Sequence, residues 1–160
     1  MDKKLGEIVK KIEEIYNPIS IFLYGSRARA DFLEKSDYEV GVLYSADKKI
    51  SRTELKELNP TDYINIYPFE YEGFLKYEID TPFPLSVYLR ELIVGGKTIA
   101  GNKVLEEMKP PAVKIMDILQ TLVFHTGLAL GAVLSHRHGD ILTAKIEFSK
   151  SCLFSVRCLL

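Results

Sequence analysis

The chain has 160 residues, enough for one domain or for one small domain with an appendage. Hydrophobic residues make up 47% and charged residues 27%, which excludes a disordered or fibrous chain, and a net charge of -1 gives no bulk attraction to nucleic acid. The start, Met1-Asp2-Lys3-Lys4, is not an apolar leader, and Leu122 to Leu134, interrupted by His125, is too short to span a bilayer, so no membrane is expected.

Leu5, Ile8, Val9, Ile12 and Ile15 recur at helical spacing among lysines and glutamates, which predicts an amphipathic first helix ended by Asn17-Pro18. Ile19 to Tyr24 is β-branched and aromatic and reads as a buried strand. Gly25-Ser26 breaks it, with Ser26 as N-cap of a short helix over Arg27 to Leu33. Asp37 to Tyr44 reads as a second strand. Ser51 and Glu54 form a capping box that opens a helix running to Leu58. Asp62 to Tyr67 alternates as a third strand, closed by Pro68. Beyond it, a short helix over Glu70 to Tyr77, a proline loop and a helix over Leu85 to Val94 are expected, with Gly95-Gly96 as its C-cap. Lys97 to Ala100 predicts a last short strand.

The pattern changes at Pro110-Pro111, which sets a boundary between residues 1–109 and residues 110–160. Ala112 to Leu134 and Thr143 to Leu160 read as two long helices joined by the polar turn His136 to Asp140, an αα-hairpin. Its apolar faces, with Val123, Leu130, Val133, Phe148 and Phe154, predict a homodimer. The run ending in Cys158-Leu159-Leu160 has no polar cap or glycine stop, so it docks on a partner or continues beyond residue 160. Cys152 and Cys158 fall on different faces of one helix, which argues against a disulfide and for a reducing, cytoplasmic compartment.

The chemistry gathers between Gly25 and Glu39. Glycine lets an anion approach the backbone, and a serine hydroxyl beside free amides attracts phosphate. Arg27 and Arg29 add positive charge. Asp37 and Glu39 alternate, so a strand turns both carboxylates to one face, where hard oxygens suit Mg²⁺. Taken singly, each element has a bland meaning: a turn, surface arginines, a solvated edge strand. Their order and spacing together point to a phosphate-and-metal site.

Leu23-Tyr24-Gly25-Ser26-Arg27-Ala28-Arg29-Ala30-Asp31, followed by Ser36-Asp37-Tyr38-Glu39-Val40-Gly41-Val42, resembles the signature of minimal nucleotidyltransferases of the DNA polymerase β superfamily. The resemblance covers roughly the first hundred residues. It implies an α/β (α+β) fold, a small mixed β-sheet followed here by a C-terminal helical hairpin. It also implies ATP or another nucleoside triphosphate as substrate, with Gly25, Ser26, Arg27 and Arg29 on the nucleotide. Mg²⁺ would lie on Asp37 and Glu39, and nucleoside monophosphate would pass to a hydroxyl acceptor. The signature's second Asp is Glu39 here, and Asn65 stands where the third catalytic carboxylate is expected. An amide cannot act as a base. Asp62 is an odd number of residues away, and Glu70 lies beyond Pro68. A catalytically degenerate nucleotide-binding or protein-interaction module, antitoxin-like in that it binds a helical partner, therefore stands as the alternative.

The hairpin resembles the HEPN-like helical domain that accompanies such transferases. That family's ribonuclease spacing of Arg and His is missing around Arg137-His138 and Arg157, so no nuclease is expected. His125 reads as a core or interface histidine, and His136 and His138 as turn residues without a metal-binding partner set. Tyr63, Tyr67, Tyr71 and Tyr77 read as sheet and core aromatics rather than a base-stacking platform.

Overall fold

The computed structural model describes residues 2–32, 36–59 and 61–157. These form a four-stranded mixed sheet in the order β3-β2-β1-β4, with eight α-helices among the described residues. The fold is therefore α+β.

Helix α1 (Lys3–Tyr16) starts where the Asp2 carboxylate accepts from the amides of Lys4 and Leu5, and stops where Asn17 turns left-handed with φ 45°. Strand β1 (Ser20–Tyr24) follows and takes the sheet's interior. It pairs antiparallel with β2 (Tyr38–Tyr44), setting Tyr24 opposite Glu39. A 3₁₀ turn (Ala46–Lys48) and helix α3 (Arg52–Leu58) then cross over to β3 (Ile64–Glu70). A crossover of that length lets β3 pair parallel to β2, with Glu39 opposite Asn65. Ser51 and Glu54 form the expected capping box.

One sheet face packs on α1 and α3 through Leu5, Ile8, Ile12, Val40, Leu55 and Ile64. The other buries Phe22, which lies 5.9 Å from both Phe69 and Phe74. Gly41 makes this possible, because a Cβ there would come within 2.1 Å of the Phe22 ring.

Several boundaries differ from the sequence reading. Helix α2 spans Gly25–Arg29 rather than Arg27 to Leu33, because Ala30 turns left-handed at φ 64° and ends it; Leu33 lies outside the described residues. Its N-cap is Tyr24, not Ser26. Strand β2 begins one residue after Asp37. Strand β3 runs through Pro68 to Glu70, because it is an edge strand and a proline there costs no ladder hydrogen bond. Helix α4 covers only Tyr71–Leu75. Helix α5 (Leu85–Gly95) includes the first glycine of the expected cap, and β4 (Lys97–Gly101) then pairs antiparallel with β1. Helix α6 (Val104–Glu107) was not anticipated.

The chain divides into two compact units, Met1–Asp80 with Leu89–Pro110, and Thr81–Tyr88 with Pro111–Leu160. In the second, helix α7 (Ile115–Arg137) and helix α8 (Ile141–Arg157) form a hairpin. Helix α7 absorbs His136 and Arg137, which were expected in the turn. By length and composition it is long and apolar enough to cross a bilayer, unlike the shorter run read from the sequence. Cys158 lies outside the described residues.

Candidate functional site

Strand β1 ends at Tyr24, β2 starts at Tyr38 and β3 starts at Ile64. Three strand ends therefore meet at one end of the sheet. Tyr24, Glu39 and Asn65 form a row across it, so their side chains share a face. Asp37, just before β2, accepts a hydrogen bond from the Asn65 side-chain amide at 3.4 Å. Gly25 sits above this row with φ +72°, a conformation that L side chains rarely adopt. A Cβ there would lie 1.9 Å from Glu39 Oε2. The glycine is thus required twice, for the sharp turn and for the carboxylate that fills the space beneath it. The structure brings Gly25, Asp37, Glu39 and Asn65 together, with Ser26 next in the chain after Gly25.

The two arginines have other engagements. Arg27 Nε donates to the Ser36 carbonyl at 2.9 Å, and its guanidinium lies 4.2 Å from the Phe32 ring centre and 4.7 Å from that of Tyr38. Tyr38 packs toward the α1 face of the sheet, away from the face that carries Glu39. Arg29 Nη1 donates to Glu91 at 2.7 Å and its Nε lies 3.5 Å from Asp31. These contacts fasten α2 to β2 and to α5. Sequence reasoning had no signal for Glu91, which lies 62 residues along the chain from Arg29.

The carboxylates weighed as replacements for Asn65 are elsewhere. Asp62 lies in a bend before β3 and is exposed. Glu70 ends β3 at the far end of the strand, where it caps α4 by accepting from the amides of Glu72 and Gly73. Among the described residues no group of three His, Cys, Asp or Glu side chains could hold a metal ion. Two carboxylates and one amide supply hard oxygens for one divalent cation; two dications would be left short of negative charge.

A mixed sheet whose strand ends bring a Gly-Ser turn onto paired acidic residues is the framework of a nucleotidyltransferase domain. The nucleotidyltransferase domain family matches residues 4–93, and the chain belongs to that family. Among solved structures, a protein from Sulfolobus solfataricus described as a nucleotidyltransferase is 18% identical, with a TM-score of 0.38 over 44% of this chain and 68% of that chain. A toxin–antitoxin structure with AMP-PNP is 17% identical, with a TM-score of 0.43 over 91% of this chain and 99% of that chain. No curated protein sequence matches.

Proposed function

We propose that this chain binds ATP or another nucleoside triphosphate with Mg²⁺ on Asp37 and Glu39, and transfers the nucleoside monophosphate to a hydroxyl acceptor. The observation that supports this reading is the convergence of Gly25, Asp37, Glu39 and Asn65 at one sheet end in a nucleotidyltransferase domain. Asp37 and Glu39 would hold the cation, which would offset the charge of the phosphates. Gly25 and Ser26 admit the phosphates close to the backbone. The Asn65 side-chain amide donates a hydrogen bond to Asp37 at 3.4 Å. Arg27 fixes the turn to the segment before β2, and Arg29 fixes it to α5. In the transfer, the acceptor oxygen bonds to the α-phosphorus, the α–β anhydride bond breaks and pyrophosphate leaves. The acceptor's proton leaves to solvent water, because the Asn65 amide is not a base.

That missing base favours a second reading, in which the site binds nucleotide without turnover. The substitution Asn65→Asp separates the two. The transfer reading predicts slow release of pyrophosphate by the native chain and a gain of about 10²-fold in the variant, the usual worth of a general base. Nucleotide binding with no turnover in either protein would establish the second reading, and no binding at all would overturn both.

A further inference from the structure

The helical unit carries an apolar groove that its own residues leave open. Helices α7 and α8 meet along Thr121, His125 and Ala132 on one side and Ala144 and Ser151 on the other, all buried. The Ser151 hydroxyl donates to the His125 carbonyl, and the His125 ring stacks on Phe154 with centroids 5.3 Å apart. One flank of α7 is covered by the segment Thr81–Tyr88, where Phe83 lies 5.2 Å from Phe124 and the Ser86 hydroxyl donates to Asp117 at 2.7 Å. Helical geometry turns Ile115, Leu119, Leu130 and Val133 to the opposite flank. Ile141, Phe148 and Val156 of α8 share that side, because the two helices are antiparallel. A groove of about 340 Å³ opens at the turn end of the hairpin, where Ala132, Val133, Ala144 and Phe148 line it together with His136, Arg137 and Lys145. The apolar strip that continues from it along the two helices faces solvent: Ile115 is 75% exposed, Leu130 64% and Phe148 53%.

We infer that a second copy of this chain covers the groove, the two hairpins closing into a four-helix bundle about a two-fold axis. Seven side chains exposed to this degree offer on the order of 700 Å² of apolar surface, close to the roughly 800 Å² that each partner brings to a standard interface. Small residues in the groove and large ones on its rim are what a self-complementary helical contact needs. A bilayer is the poorer occupant. Only α7 is apolar enough to enter one, whereas α8 carries Glu147 and Lys150 on its other flank and Lys145 in the groove lining, whose ammonium can reach water at the rim of a dimer but not inside hydrocarbon. Burying those charges in hydrocarbon would be costly.

Sedimentation of the full chain at micromolar concentration tests this. The native chain is expected at twice the monomer mass. Leu130→Glu with Phe148→Glu is expected at the monomer mass, with unchanged helical circular dichroism. Leu142→Glu, on the side of α8 turned away from α7, is expected to stay dimeric. A native chain that is monomeric would overturn the inference, and so would a dimer that survives the double substitution. Native monomers that float with phospholipid vesicles would overturn it in favour of a membrane surface.

Discussion

Gly25 is the residue on which the site's geometry turns. Its positive φ alone makes alanine there cost about 1 kcal/mol or more. A Cβ would also strike Glu39 Oε2, the far end of a flexible side chain, so the carboxylate moves before the backbone does. Gly25→Ala is therefore expected to lower stability by about 1–2 kcal/mol in denaturant melts. Mg²⁺-dependent nucleotide binding should fall by a larger factor than that loss explains. Equal losses in stability and binding would assign Gly25 a purely structural role. The charge of Arg27 and Arg29 is visible in the chain, but the Ser36 carbonyl and Glu91 that engage them are brought close only by folding.

At the scale of elements, the strands and the α3 cap were legible because β-branched alternation and a Ser-x-x-Glu box are local signals. The register that sets Glu39 beside Asn65 also follows from alternation once the strands are placed. What local signals miss is position in the sheet. Pro68 reads as a stop, yet β3 continues through it because it is an edge strand. Helix α2 ends early at Ala30, a residue with no intrinsic preference for the left-handed turn it adopts. The α3 cap gives a further prediction. The Ser51 hydroxyl, and after it the Ser51 amide that donates to Glu54 at 2.8 Å, holds the Glu54 carboxyl below its ordinary pKa. A depressed carboxylate stabilises the fold fully above its unfolded pKa, and that contribution disappears as pH falls through the folded value. Ser51→Ala removes the N-cap hydroxyl that accepts from the Glu54 amide and is expected to lower stability by about 1 kcal/mol near neutral pH. The difference from native should shrink below about pH 4. A gap unchanged in acid would show that the Ser51 hydroxyl does not act on the Glu54 carboxylate.

At the scale of the whole molecule, the chain joins a nucleotidyltransferase unit to a helical one. In the first, both faces of the sheet are covered by apolar packing, and the sheet end at Gly25 gathers Asp37, Glu39 and Asn65. In the second, the hairpin leaves apolar surface uncovered, a condition visible in the sequence as two helices with more apolar faces than one contact can use. Their association and the nucleotide site are separable properties, so the groove variants are expected to bind nucleotide as the native chain does.

The central claim is that Asp37 and Glu39 hold a cation for a nucleoside triphosphate. Calorimetric titration of ATP and the other triphosphates, with and without Mg²⁺, tests it on the native chain and on Asp37→Ala. Saturable binding that requires Mg²⁺ and is lost in the variant is the predicted result. Absence of binding with or without Mg²⁺, or binding that neither Mg²⁺ nor Asp37→Ala affects, would contradict it.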